Sequence, residues 1–245
     1  MVGLTVFDGC LVFLLCGIAG LIQGSAGIGF SMFVMAFAPM LMPYALAVNV
    51  NRFVGLTVAV VGLWQYRHGI RLRKILPPAL AGLLTSLIGI RAFQVADEAL
   101  LKRALGIFLI AMVFISLTLQ RRKIKLRANW VTGALTGALA GVASGLFNVL
   151  GPILAVYYMA VSESTEEYRS SLNLTFVIQS LWINLVYQTV TGYTGAEWVY
   201  GLIGTVASAV GLLISVRWAG KLNKEKVSWL MYAIILIMAV CMLLT

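Results

Sequence analysis

The chain has 245 residues, of which 61% are hydrophobic and only 11% are charged, whereas a soluble domain carries about 25% charged residues. Its net charge of +10 comes from short basic segments between long apolar runs, which is typical of membrane loops and argues against a nucleic-acid partner. One histidine and three cysteines without CxxC spacing offer no cluster for a metal, and no cofactor is expected.

Seven runs without a charged residue follow one another along the chain. They cover residues 9–51, 75–90, 104–120, 130–162, 170–196, 198–216 and 227–245. A run of about 18 apolar residues is long enough to cross a bilayer. The composition therefore predicts an all-α integral membrane protein that forms a single membrane domain over residues 1–245. Because Asp8 replaces a basic n-region, no cleaved signal peptide is expected.

A simple count of four membrane spans in each half conflicts with the composition of the segments left between them. Spans at about 9–29, 44–66, 75–92 and 103–120, with four counterparts in the second half, would leave the apolar residues 30–44 in water. We therefore predict that each half begins with two membrane-embedded pieces joined at a glycine-rich stretch. The pair either crosses twice as short helices or forms a re-entrant hairpin, and three transmembrane helices follow it.

A weak internal repeat supports this division. Gly24 recurs as Gly145 at an offset of 121, and Asn51 recurs as Asn173 at an offset of 122. The steady offset divides the chain near residue 125. It predicts a first repeat, a basic cytoplasmic linker and a second repeat, at about 5–120, 121–129 and 130–245.

The lysines and arginines predict how the repeats lie in the membrane. If the helix pair that begins each half returns to the side of the membrane on which it started, one face holds fourteen of the 18 basic residues. They lie in loops 67–74, 121–127, 160–169 and 217–226. The opposite face keeps three, and Arg52 lies within a span. The positive-inside rule then places the basic loops in the cytoplasm and both termini outside. The repeats would be inverted, as in many secondary transporters.

Two breaks in the helical pattern, the first at 24–29 and the second at 144–152, are the main indication of function. Irregular backbone survives at membrane depth only when it is buried or lines a cavity, and helices that begin there direct free N–H groups towards an anion. The alternative for glycines is close helix packing, which we favour for Gly17, Gly20, Gly137 and Gly141. The predicted substrate-binding residues are Gln23, Gly24, Ser25, Gly27, Gly29, Asn51, Arg52, Ser144, Gly145, Asn148, Gly151, Pro152 and Asn173.

Arg52 has two interpretations that the sequence leaves open. Burying an unpaired charge costs roughly 2.5–3.5 kcal/mol on insertion scales, and a guanidinium suits a sulfonate or carboxylate. Alternatively, Arg52 reaches the interface or binds carbonyls that the neighbouring break frees. Leu174 occupies the equivalent position in the second repeat, so a cationic site would be asymmetric. Arg169 is interpreted as an interfacial anchor. No carboxylate lies inside a predicted span, so no proton relay through a buried acid is expected.

Three stretches resemble the TauE/SafE sulfite exporter family, also grouped as toluenesulfonate-uptake permeases. They are GLIQGSAGIGF at 20–30, GVASGLFNVLGPILAVYYM at 141–159 and EYRSSLN at 167–173. The family pattern has a glycine-rich run in each repeat, and the second run ends in Gly-Pro. In this chain, Asn148 and Leu150 stand where glycines are expected, which makes the second site bulkier and more polar. Phe30 likewise replaces a common glycine in the first.

The resemblance implies a secondary transporter, not an enzyme, for sulfite, organosulfonates or related sulfur-containing or carboxylate anions in the cell inner (plasma) membrane. Export would be driven by the membrane potential or coupled to an ion. An anion channel and a non-transporting membrane subunit of a complex remain alternatives, whereas no embedded catalytic constellation supports an intramembrane enzyme. The expected partners are a small anionic substrate and the lipid bilayer, and a homo-oligomer is left open.

Overall fold

A computed structural model describes residues 6–121, 129–218 and 224–244. Within these residues the chain forms α-helices and one short 3₁₀ turn, Arg67–Gly69, with no strand. The helices are α1 (Val6–Ala26), α2 (Phe30–Leu41), α3 (Tyr44–Gln65), α4 (Leu72–Val95), α5 (Glu98–Arg121), α6 (Trp130–Phe147), α7 (Gly151–Val161), α8 (Thr165–Val190), α9 (Gly195–Trp218) and α10 (Lys224–Leu244).

Seven of these described helices are long and apolar enough to cross a membrane, and the chain is an all-α, multi-pass membrane protein, as the composition predicted. Helix α8 is the longest, with 26 residues, but it is too polar to count among the seven. Most of the proposed linker, residues 122–128, lies outside the described residues.

The helix lengths follow the same order twice. Helices α1 and α6 have 21 and 18 residues, whereas α2 and α7 have 12 and 11. At 1.5 Å per residue, the short helices extend about 18 and 16 Å, close to half of a hydrocarbon core of about 30 Å. Each half thus begins with one spanning-length helix and one half-length helix. The two pieces are unequal, which neither sequence alternative described.

Backbone conformation explains where the first helix of each half ends. Gly27 and Gly29 have φ angles of +82° and +110°, which side chains rarely allow, so α1 cannot continue into α2. In the second half the same role falls to Asn148, with φ +53°, because asparagine tolerates this region better than other residues. Pro152 then lies in the first turn of α7, where a missing N–H costs no helix bond.

Glycines bring two helix pairs into close contact, α1 with α9 and α4 with α6. A methyl group on Gly20 would overlap the backbone of Ser208, and one on Gly137 would overlap the backbone of Pro78. Small residues at such spacing let helix backbones approach each other in lipid. The packing interpretation of these glycines therefore agrees with the structure. Each pair joins a helix of the first half to a helix of the second.

Contacts along the helices give their relative directions. Helix α1 runs parallel to α9, since Gly20 lies beside Ser208 and Gly24 beside Ser215. Helix α3 also runs parallel to α9, from Asn49 beside Glu197 to Thr57 beside Thr205. Helix α3 therefore begins on the side where α1 began.

Three other long helices, α8, α4 and α6, run the opposite way. Helix α8 is antiparallel to α3, because the carbonyl of Arg52 accepts a bond from Asn184 and Gly62 lies beside Asn173. Helix α4 runs parallel to α8 and to α6. Helices α1 and α6, which open the two halves, consequently point in opposite directions.

Candidate functional site

Both breaks border one narrow cavity, which we call the central cavity. It has a volume of about 40 Å³, much smaller than the roughly 300–1,000 Å³ of ordinary ligand pockets. Residues from both breaks and from α3 and α8 line it: Gln23, Ile28, Gly29, Phe30, Ser31, Met32, Gly55, Val58, Ala59, Asn148, Leu150, Gly151, Pro152, Phe176 and Ser180. The structure thus brings the two breaks together, as expected of a shared site.

Two helix starts border the central cavity, those of α2 and α7. Within the described residues, neither N-cap residue, Gly29 or Leu150, caps its helix with a side chain. The first N–H groups of a helix have no partner inside it, and the helix dipole makes this end positive. The cavity wall therefore favours an anion, with one helix start supplied by each half.

Gln23 holds the first break in shape. Its amide Nε2 donates to the carbonyl of Gly27 over 3.3 Å, and its Oε1 accepts from the backbone N–H of Phe30 over 3.1 Å. The side chain is 8% exposed. Gln23 therefore replaces backbone hydrogen bonds that the break removes, and it aligns the start of α2. Gln23 lines the central cavity, but both ends of its amide are already engaged.

Asn148 forms the corner of the second break. Its backbone N–H donates to Ser144 over 2.9 Å, and its carbonyl accepts from Nδ2 of Asn51 over 3.2 Å. Asn148 lines the central cavity. Asn51 is fully buried, and within the described residues its Oδ1 has no hydrogen-bond partner. Asn51 thus fixes the second break without lining the cavity itself.

A larger cavity of about 440 Å³, here called the vestibule, adjoins the central cavity. The two share Ile28 and Pro152. Hydroxyl groups are frequent on its wall, from Ser116, Ser162, Ser164, Thr165, Tyr168, Ser228 and Tyr232. The vestibule extends to the connection between α7 and α8, on the side where Lys74 bonds to Val161 and Glu167. One residue from each break separates it from the central cavity.

Arg52 is engaged with protein groups and does not line the central cavity. It is 1% exposed, and it donates to Oδ1 of Asn49 over 2.7 Å and to the carbonyl of Gly145 over 2.9 Å. The guanidinium lies 5.0 Å from the ring centre of Phe93 and 4.6 Å from that of Tyr187, within reach of cation–π attraction. Since Gly145 is in the last turn of α6, Arg52 binds a carbonyl that the break leaves free.

Two carboxylates are buried in helices, and the expectation that no span contains one is wrong. Glu197 lies in the first turn of α9, inside a candidate span, and is 6% exposed. Glu167 lies in the first turn of α8, is 4% exposed, and contacts Lys74 over 2.6 Å. Both sit at the edge of an apolar run, where the sequence pattern resembles a loop although neighbouring helices cover the side chain.

Arg169 lies beside the first break. A Cβ atom at Gly27 would come within 3.5 Å of Nη2 of Arg169. The guanidinium also donates to the hydroxyl of Tyr66 and lies 4.9 Å from its ring centre. Each break therefore has an arginine next to it, Arg169 from α8 at the first and Arg52 from α3 at the second. The sequence did not assign Arg169 to a break, because no hydropathy signal relates it to Gly27.

Five predicted site residues line the central cavity: Gln23, Gly29, Asn148, Gly151 and Pro152. The others lie around it: Gly24, Ser25, Gly27, Asn51, Arg52, Ser144, Gly145 and Asn173. Gly24 packs against Ser215, and Gly145 packs against Ser86. Ser25 bonds back to the carbonyl of Leu21 over 2.8 Å. The substrate-binding role of all these residues stays a prediction.

Asn173 lies in a helix contact, and Ser144 is buried. Asn173 donates to the carbonyl of Arg169 over 2.8 Å, and its Oδ1 faces Gly62 of α3. Within the described residues, the buried Oγ of Ser144 has no hydrogen-bond partner. The polar lining that the sequence missed comes from Ser31 and Ser180. Single serines in apolar helices give no pattern that distinguishes a cavity from a helix contact.

Comparison with known proteins gives a family for the chain. A family model described as sulfite exporter TauE/SafE matches residues 12–242, nearly the whole length. No curated protein matches the chain, and no solved structure matches it.

Proposed function

We propose that this chain is a secondary transporter of small anions, because it belongs to the sulfite exporter TauE/SafE family of membrane transporters. The substrates we propose are sulfite, organosulfonates or related sulfur-containing or carboxylate anions. The proposed partners are such an anion and the lipid bilayer, without nucleic acid, and a homo-oligomer remains a prediction.

The observation that carries this proposal is the pair of helix starts that meet at the central cavity. Helix α2 contributes the N–H groups of Ser31 and Met32, since that of Phe30 bonds to Gln23, and helix α7 contributes that of Gly151. Two positive helix ends that meet across a narrow space attract negative charge. A sulfite or sulfonate group has several acceptor oxygens for these N–H groups. The site therefore fits a small oxyanion better than a cation or a neutral solute.

The difference in size between the two cavities supports a carrier mechanism. The central cavity holds about 40 Å³ and the vestibule about 440 Å³. A substrate that enters the vestibule meets Ile28 and Pro152 before it reaches the helix starts. These residues must separate for the anion to pass. A carrier that exposes its site to one side at a time has such a constriction, and this favours it over an open channel.

We further propose that the two halves are inverted repeats, with both termini outside the cell inner (plasma) membrane. The opposite directions of α1 and α6 support inversion. The basic loop 67–74 and the vestibule rim at 162–165 lie on one side, where Glu167 pairs with Lys74. By the positive-inside rule this side is cytoplasmic, together with 121–127 and 217–226. Residues 122–127 and 219–223 of those segments lie outside the described residues.

The energetics favour export. An inside-negative potential drives each negative charge outwards by about 2.3 kcal/mol per 100 mV. A vestibule that opens to the cytoplasm would load the anion from inside. Outward flux then needs no coupling ion, whereas accumulation inside the cell would need a proton or sodium ion to offset the same energy.

Counterflow in proteoliposomes tests this function. Vesicles are loaded with unlabelled sulfite, thiosulfate, taurine, sulfoacetate or acetate, and uptake of trace labelled anion is followed with time. A carrier produces a transient accumulation with one of these anions. A steady current that is independent of the anion on the opposite side would instead show a channel. Absence of flux with all of them, together with a co-purifying chain, would identify a membrane subunit of a complex.

A further inference from the structure

Glu197 uses its two carboxylate oxygens for different purposes. Oε2 accepts from the N–H of Thr194 over 2.6 Å and from its hydroxyl over 2.9 Å, and the hydroxyl of Thr194 accepts from the N–H of Glu197 over 3.3 Å. This reciprocal arrangement is a capping box and stabilises the start of α9. Oε1 is not needed for the cap. It accepts a hydrogen bond from Nδ2 of Asn49 on helix α3.

The bond to Asn49 links Glu197 to Arg52. Asn49 is fully buried, and its Oδ1 accepts from Nη1 of Arg52 over 2.7 Å. Its Nδ2 also donates to the hydroxyl of Tyr187 over 2.8 Å. The amide is therefore oriented with its acceptor towards the arginine and its donor towards the carboxylate. Positive charge, amide dipole and negative charge follow in line, which stabilises all three.

Glu197 supplies the negative charge that a buried guanidinium requires. Isolated buried charges are strongly disfavoured unless they are paired. The ionisable groups that act on Arg52 in the described part of the chain are Tyr44, Tyr187, Tyr193 and Glu197. Glu197 is the carboxylate among them. Within the same residues, Nε of Arg52 has no hydrogen-bond partner. The guanidinium thus keeps a buried donor available while Glu197 balances its charge.

We propose that Glu197 is the positioning residue for Arg52 and competes with the transported anion for its charge. Through Asn49, Glu197 holds the guanidinium on the carbonyl of Gly145, at the second break. An anion that reaches this break brings a second negative charge to the same cation, and the unpaired Nε can donate to it. While the anion is bound, the electrostatic attraction between Glu197 and Arg52 is weaker. Restoration of this attraction favours release of the anion. This inference rests on the proposed function.

The variant Glu197→Gln tests the inference. It keeps the size and one acceptor oxygen, and it removes the negative charge. Arg52 then lacks its counter-charge, and a bound anion supplies it instead. We expect purified protein in detergent to bind sulfite about tenfold more tightly, which corresponds to the low end of coupling energies measured for close charge pairs. The maximal counterflow rate falls, because release of the anion becomes slower.

Two variants separate this role from the capping box. Thr194→Ala breaks the capping box without changing the charge at Arg52, so it lowers thermal stability and leaves sulfite affinity unchanged. Glu167→Gln is the matched control for a buried carboxylate, since Glu167 pairs with Lys74 and not with Arg52. It also leaves sulfite affinity unchanged. If Glu197→Gln only lowers stability, as Thr194→Ala does, Glu197 is a capping residue and the inference is wrong.

A double-mutant cycle identifies the path through Arg52. In an Arg52→Gln background, Glu197→Gln has no guanidinium to release, and the change in sulfite affinity disappears. The same tenfold change in both backgrounds would refute the path. Counterflow by the natural protein together with an unchanged affinity in Glu197→Gln would overturn this inference alone. A natural protein that neither binds nor transports any of the anions would overturn the proposed function and the inference together.

Discussion

Replacing Gln23 by leucine tests how the first break is held. The substitution removes the bonds of 3.3 Å to Gly27 and 3.1 Å from Phe30. It leaves the N–H of Phe30 buried without an acceptor, since Phe30 is 3% exposed. A net hydrogen bond contributes about 0.5–1.5 kcal/mol, and an unsatisfied buried donor costs about 1–3 kcal/mol. We expect the free energy of unfolding to fall by about 2–3 kcal/mol.

The assay is unfolding in mixed detergent micelles with Ser25→Ala as the matched control. Ser25 lies two residues further on and is also buried, and within the described part of the chain its hydroxyl bonds only to the carbonyl of Leu21 in the same helix. Such back-bonding contributes little to helix stability, so Ser25→Ala should change the free energy by less than about 0.5 kcal/mol. Counterflow by Gln23→Leu should also slow, because the start of α2 loses its alignment. Equal stability of both variants and the natural protein would refute the role assigned to Gln23.

Two further predictions concern packing and orientation. Gly20→Ala places a methyl group against the backbone of Ser208 and should destabilise the protein by about 1–3 kcal/mol. A Cβ at Gly17 meets its nearest atom at 3.7 Å, so Gly17→Ala should be neutral or stabilising. Thermal unfolding of the two variants checks this, and equal effects would contradict the close contact at Gly20. In a chain without its natural cysteines, a cysteine at His68 should label from the cytoplasmic side and one at Thr191 from the outside, and labelling of both from one side would rule out the proposed topology.

The sequence predicted most of the fold because lipid imposes strict rules on it. Charge-free runs located the long helices, and glycines located both breaks, since a helix in lipid ends only where its backbone can be buried. The unequal lengths of α1 and α2 were not predictable, because 9–51 is one apolar run without an internal charge. Only the conformations of Gly27 and Gly29 fix the point of division.

The site was less accessible to sequence reasoning than the fold. Gln23 and Asn148 could be identified from their position beside glycines. Glu197 could not, because it is covered by Asn49 of helix α3, which lies 148 residues away in the sequence. Hydropathy describes the environment along one segment, and it contains no information about which polar partners a distant helix provides. For the same reason the vestibule, to which α5 and α10 contribute, left no signal in the pattern.

Close packing between helices of the first half and helices of the second half limits which parts of the transporter can move together. Helix α1 packs closely on α9, and α4 packs closely on α6, with glycine contacts that leave no room for sliding. The two sequence repeats cannot separate as bodies without breaking both pairs, so we expect each moving body to contain helices of both halves. A cross-link between positions 17 and 207, which join α1 to α9, should then preserve counterflow. Loss of counterflow in the cross-linked protein, with recovery on reduction, would show that the repeats themselves are the moving bodies.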